Sequence, residues 1–105
     1  FQQIFAGDNE KNPLAEQAGL KKQPKEYFKM FYADTATNGS VAAAACGLEF
    51  FGADHSIFAT DAPFDPEGGT LLIRETIKAV DSLDIDAETR ARIYSGNLER
   101  LLKLV

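Results

Sequence analysis

The run from Val41 to Phe51 lies between two short apolar stretches, and that arrangement constrains the fold more than anything else in the chain. Within it Val41, Ala44, Ala45, Leu48 and Phe50 or Phe51 recur at helical spacing, Ser40 stands where an N-cap belongs, and Gly52 ends the run. The pattern predicts a helix with one packed face. On its amino-terminal side, Phe28–Ala33 is rich in aromatic residues and gives way to the polar segment from Asp34 to Gly39, which reads as a buried strand followed by a turn. On its other side, His55 to Ala59 reads as a second short strand. Two strands joined through a helix run parallel, because a parallel pair needs a crossover and the helix supplies it. Such strands must be covered on both faces and paired at both edges, so further strands are expected elsewhere in the polypeptide.

The rest of the chain fits an α/β pattern. Residues 1–24 hold Gly7, Asp8, Asn9, Asn12, Pro13 and Gly19 with few apolar positions at either regular period, and read as a connecting loop with at most a short helix at Pro13–Gly19. Residues 25–105 carry the strand and helix units. Thr60 to Gly69 is a loop with two prolines and two glycines; Leu71, Leu72, Ile73, Ile77 and Val80 then predict a helix over Thr70–Leu83. Asp86 opens another helix reaching Ile93, and a last short one is expected from Asn97 to Leu104 after a break at Gly96, with Asn97 as its cap.

With 105 residues, 45% of them hydrophobic and 26% charged, the chain is ordinary globular material with a modest core. Eleven basic against sixteen acidic residues leave a net charge of -5, and apart from Lys21 and Lys22 the basic side chains are scattered. This argues against nucleic acid, whose phosphates call for a clustered cationic face. No apolar run approaches the ~20 residues that span a bilayer, so no membrane partner is expected. The sequence opens on Phe1 without a recognisable leader, which suggests a cut or processed start. A single cysteine, Cys46, excludes an internal disulfide and fits a reducing compartment, with cytoplasm as the default; within its helix it is expected to be a small buried apolar residue.

Chemistry concentrates at Asp61, in the run from Thr60 to Phe64. A carboxylate just past a parallel strand sits where such folds keep their active sites, although Asp followed by Ala and Pro is also a good turn opener. Phe64 can offer its ring to a planar substrate or join the core. Asp34 and Thr35 end the earlier strand and face the same way, where Asp34 can hydrogen-bond a ligand or satisfy the turn before Ser40. Asp65 and Glu67, on the loop, read as solvated. If His55 to Asp61 is extended, six steps of about 3.3 Å separate them by ~20 Å, too far to share one metal ion.

Taken together, the run from Tyr27 to Ala36, the run from Phe50 to Phe64 and the closing Ile93 to Leu104 resemble, in order and spacing, the last units of the amidohydrolase-related family. The branch they look most like contains aminocarboxymuconate-semialdehyde decarboxylase and the aromatic-acid decarboxylases. The resemblance implies the last two or three βα units of a (β/α)8 TIM barrel, incomplete as given, with Phe28–Ala33 as strand seven and Ser56–Ala59 as strand eight. It makes Asp61 the catalytic carboxylate and a ligand of a divalent metal, Zn2+ before Mn2+, with Phe64 and Asp34 at the substrate. Family members carry a His-x-His after strand one and further histidines on middle strands. The sole histidine here is His55, which the resemblance places at the barrel's stability face, so the remaining ligands are expected outside this sequence. The implied activity is non-oxidative decarboxylation, or hydrolysis, of a small unsaturated or aromatic carboxylate, by an enzyme that a homo-oligomer would suit. The competing readings are a non-catalytic α/β binding module and a barrel subunit with a degenerate site.

Overall fold

The computed structural model of the chain describes residues 16–104. The chain divides into two compact units, with the boundary between Phe31 and Tyr32. The first unit contains helix α1 (Pro24–Phe28), which begins where Pro24 supplies a preset φ and the Gln23 amide donates to Glu26 Oε2 at 2.9 Å. Of the expected Pro13–Gly19 helix, Glu16 and Gln17 are helical and Gly19 closes a turn onto Glu16, while positions 13–15 lie outside the described residues. The predicted strand Phe28–Ala33 is corrected here. Phe28 ends α1, a turn follows, and Phe28 and Phe31 meet edge to face with centroids 6.4 Å apart. Helix capping at Pro24 outcompetes the weak strand preference of the aromatic run that overlaps it.

The second unit begins with the strand–helix–strand arrangement expected, on shorter strands. Strand β1 (Ala33–Asp34) pairs in parallel with β2 (Ser56–Ile57), in the register Ala33 to Ser56 and Asp34 to Ile57. Helix α2 (Val41–Phe51) is the crossover. Ser40 Oγ accepts the Ala43 amide at 3.2 Å, and Gly52, at φ 88°, donates its amide to Leu48 O. Only Ala44 of this helix is buried. Cys46, expected inside, is exposed. It lies two positions beyond Ala44, about 200° round the helix, and so on the opposite side from the packed face. Between that face and the sheet is an apolar cavity of about 30 Å³, lined by Ala44, Leu48, Ser56, Leu83 and Ile93 among others.

Helix α3 (Thr70–Asp81) lies after the Thr60–Gly69 loop. Its buried face is Leu72, Thr76, Ala79 and Val80, continued by Leu83, whereas Ile73 and Ile77 at the flank of the predicted stripe are exposed. The Asp65 carboxylate, expected to be solvated, instead serves the start of this helix: Oδ2 accepts the Leu72 amide at 3.1 Å and Oδ1 the Glu67 amide at 2.7 Å. Burial works against its ionisation, but the amides of Leu72, Gly69, Glu67 and Leu71 outweigh it and hold the carboxyl below its ordinary 3.8. Glu67 stays on the surface, paired with Arg74 at 3.2 Å.

The last elements form one continuous rod. Helix α4 (Ala87–Ala91), capped by the Asp86 carboxylate on the Thr89 amide, runs into a wide π-helical turn (Arg92–Gly96) and on into helix α5 (Asn97–Leu101). The break expected at Gly96 is absent, since Gly96 is helical at φ -58° and the Asn97 amide donates to Arg92 O, five residues back. Asn97 is therefore not a cap. Its side chain is 0% exposed, and Nδ2 donates to the carbonyls of Ala53 and Ser56 at 2.5 and 2.8 Å. The carbonyl of Ile93, in the wide turn, accepts the Phe58 amide at 2.9 Å. Arg92 reaches Asp54 Oδ1 at 2.6 Å and Arg100 reaches Asp54 O at 3.0 Å. Four residues of the rod thus hold the chain on either side of β2. Among the described residues, no helix is long and apolar enough to cross a membrane.

Two outcomes are expected. Replacing Asn97 with Ala leaves two carbonyls, one buried and one part-buried, without their donor, which costs about 3 kcal/mol of stability, read from denaturant unfolding of the protein. Tyr94 donates to Asp81 Oδ1 at 2.8 Å, and burial, that hydrogen bond and the Asp81 charge push its phenol up to about 12. The raised value favours the folded state below the ordinary value of 10.0, and this contribution disappears as pH rises through about 12. A phenolate absorbance titration should show this late transition, and Tyr94→Phe should abolish it.

Candidate functional site at the carboxyl end of the parallel strands

Parallel strands deliver their carboxyl ends to the same edge of the sheet, so the segments after β1 and β2 emerge side by side. After β1, the Asp34 carboxylate folds back to accept the Ala36 amide at 2.9 Å. Thr37 Oγ1 donates to Ser40 O, and Gly39, at φ 83°, rests against Glu75 of α3, where an added Cβ would come within 3.0 Å of the Glu75 Cβ. After β2, residues 58–60 leave the sheet and Asp61 takes a left-handed backbone at φ 66°, followed by the cis peptide between Ala62 and Pro63. Aspartate is among the few non-glycine side chains that tolerate this region. Gly69, at φ 109°, packs on the same turn, where a Cβ would meet Ala62 Cβ at 3.2 Å and Pro63 Cα at 3.3 Å. Only glycine fits there without displacing the Ala62–Pro63 turn.

Asp61 is exposed, and its carboxylate has no hydrogen-bond or ion-pair partner among the described residues. Its backbone carbonyl accepts the Phe64 amide at 3.2 Å. Phe64 is 81% exposed, so its ring plays no part in the core. Asp34, also exposed, shares the strand end with Asp61, but one of its oxygens is committed to its own turn. His55 closes a single 3-10 turn (Ala53–His55) at the opposite, amino end of β2, where its ring stacks on Tyr32 with centroids 4.3 Å apart. The structure therefore brings Asp34, Asp61 and Phe64 to one edge and sends His55 to the other.

A free carboxylate at this edge fits a single oxygen ligand for a hard or borderline divalent ion. It does not make a site unaided. Among the described residues, no group of three His, Cys, Asp or Glu side chains could hold a metal ion.

Two residues that hold these strands escape a reading of the sequence, Thr35 at this edge and Asn97 at the entry to β2. Thr35 is 6% exposed, and its hydroxyl both donates to Ala59 O at 2.9 Å and accepts from Ala59 N at 3.0 Å. Threonine at a strand end carries no signature of such a contact, and only its place beside Asp34 at the predicted strand end pointed to it. Asn97 showed a signal, an amide side chain after Gly96, but the same signal describes an ordinary cap.

In the crystal structure of 5-carboxyvanillate decarboxylase LigW from Sphingomonas paucimobilis, a matching region is 25% identical in sequence, with a TM-score of 0.65 over 86% of the present chain. The chain spans 27% of the length of that enzyme. None of the curated proteins matches. The amidohydrolase family model matches residues 8–104, nearly the whole sequence, and the family and the decarboxylase structure imply a TIM-barrel fold. This chain belongs to the amidohydrolase family.

Proposed function

We propose that this chain supplies the last strand–helix units of a divalent-metal-dependent (β/α)8-barrel enzyme that decarboxylates a small aromatic or unsaturated acid. The observation that carries the reading is the unpartnered Asp61 carboxylate just beyond β2, in a chain whose fold matches a 5-carboxyvanillate decarboxylase. Barrel enzymes place their reacting groups at the carboxyl ends of the strands, which is the edge Asp61 occupies. Exposed apolar side chains support the incomplete barrel: Val41 on α2, Ile73 and Ile77 on α3. Among the described residues, two two-residue strands are likewise short of the neighbours that a parallel sheet requires.

In this reading Asp61 is one ligand of Zn2+, or less favourably Mn2+, and the histidines that complete the set belong to residues beyond this sequence. The ion, when bound, supplies a positive charge that fixes substrate oxygens and stabilises negative charge developing in the transition state. Decarboxylation breaks the bond between the substrate carbon and its carboxylate, releases CO2, and replaces it with a proton, with no change in oxidation state overall. In this reading Asp61 holds that proton and passes it to the carbon. Phe64 would lie against the planar face of the substrate and Asp34 would accept a hydrogen bond from it. A hydrolytic relative would use the same carboxylate to take a proton from attacking water, so the site serves either reaction and the structural neighbour favours decarboxylation.

The test is Asp61→Ala in the full-length enzyme. Bound metal should fall and turnover of an aromatic carboxylate should drop about 100-fold or more; unchanged metal content together with unchanged turnover refutes the proposal. The 105-residue piece, purified by itself, is expected to show no turnover, and measurable activity in it would contradict the incomplete-barrel reading.

A further inference from the structure

Resting on the proposed role of Asp61, we infer that Thr35 is a positioning residue for that carboxylate, acting through the backbone of Ala59. The ladder between the strands gives the reason. Its register runs Ala33 to Ser56 and Asp34 to Ile57, and the Thr35 amide adds one more bond to Ile57 O at 3.0 Å. Beyond that point β1 can no longer pair, because the Thr35 carbonyl accepts the Thr37 amide at 2.8 Å and is committed to the turn. Both polar groups of Ala59 would then lose their partner across the sheet. The Thr35 hydroxyl takes over the missing rung, donating to the Ala59 carbonyl and accepting from the Ala59 amide. A hydroxyl can do both at once, and a part-buried pair of backbone groups is costly to leave unmatched.

The substitution matters because of where Ala59 lies. It is two residues before Asp61, whose carboxylate has no partner among the described residues, so the backbone is what sets its place. Phe58 is fixed by its amide to Ile93 O, Ala59 by Thr35, and the far side of the turn by the close approach of Gly69 to Ala62 and Pro63. Of these restraints, only the Thr35 contact joins the two strand ends through a side chain, so it is the one a substitution can remove without altering the backbone composition. Its effect on a metal would be that of a group orienting a ligand, worth about 10–100-fold in affinity.

The experiment uses the full-length enzyme with Thr35→Val, which keeps the shape and removes the hydroxyl, and Thr35→Ser, which restores it. Zn2+ affinity is measured by competition with a chelator, and protection of the Ala59 amide by hydrogen exchange. Thr35→Val should weaken Zn2+ binding about 10–100-fold and speed exchange at Ala59, and Thr35→Ser should return both to within about 3-fold of the parent. Wild-type Zn2+ affinity in a folded Thr35→Val enzyme, or unchanged Ala59 protection, overturns the inference. Unchanged Zn2+ affinity in Asp61→Ala instead refutes the metal role of Asp61, and with it the consequence drawn for Thr35, while Ala59 exchange still reports on the clamp. If Thr35→Val does not fold, exchange in the unaltered enzyme decides: Ala59 must be protected well beyond Asp61, and equal exchange at the two amides overturns the inference.

Discussion

The parallel pairing of Ala33–Asp34 with Ser56–Ile57 is the contact on which the second unit depends, and it is very short. A pair of two-residue strands offers few backbone bonds, so most of its hold comes from side chains that reach into the backbone on either side. Asn97 binds the carbonyls of Ala53 and Ser56 at the entry to β2, Ser56 Oγ donates to Gly52 O, and Thr35 takes up Ala59 at the exit. Each of these side chains is buried, which makes its hydrogen bonds stronger and their loss dearer. Packing by Val80, Ile93 and Leu83 completes the arrangement from the helical side. The sheet is less a ladder than a junction, held from three directions.

Much of this was legible in the amino-acid order, and each exception has a physical cause. Ser40, Gly52 and Asp86 act locally, within a few residues of the groups they satisfy, and their helices begin or end where the residue types say. The alternation of strands and helices likewise fixed the parallel pairing. Phe28–Ala33 misleads because an aromatic run satisfies a strand or the end of a helix equally well, and Pro24 with Glu26 settles the matter from outside the run. Cys46 misleads because nearly every position of α2 is apolar, so the stripe through Ala44 and Leu48 stands out little from the rest of the helix. Asn97 and Asp65 mislead because their partners are remote in space or in sequence: Asn97 meets carbonyls more than forty positions away, and Asp65 serves a helix that starts five residues after it.

At the candidate site the same division holds. The place of Asp61 after a strand was visible in the sequence, as was the opposite placement of His55, because both follow from the direction of one segment. The left-handed backbone of Asp61 and the approach of Gly69 to its turn were not, since each depends on where the loop returns to α3. What surrounds the carboxylate is therefore a frame of close backbone contacts, with the carboxylate itself exposed. Family membership gives that exposed carboxylate a meaning, and the chain spans 27% of the length of LigW.

The wide turn from Arg92 to Gly96 has a further implication for how the chain tolerates change. A π turn amounts to one residue more than an α-helix needs, and each residue turns the helix by about 100°. Losing a single residue there would restore a regular helix and rotate everything after it by that angle. Asn97 and Arg100 would then swing away from the Ala53–Ser56 segment while every side chain on the rod remained chemically intact. The length of that turn, and not only the identity of its residues, is what keeps the junction at β2 together.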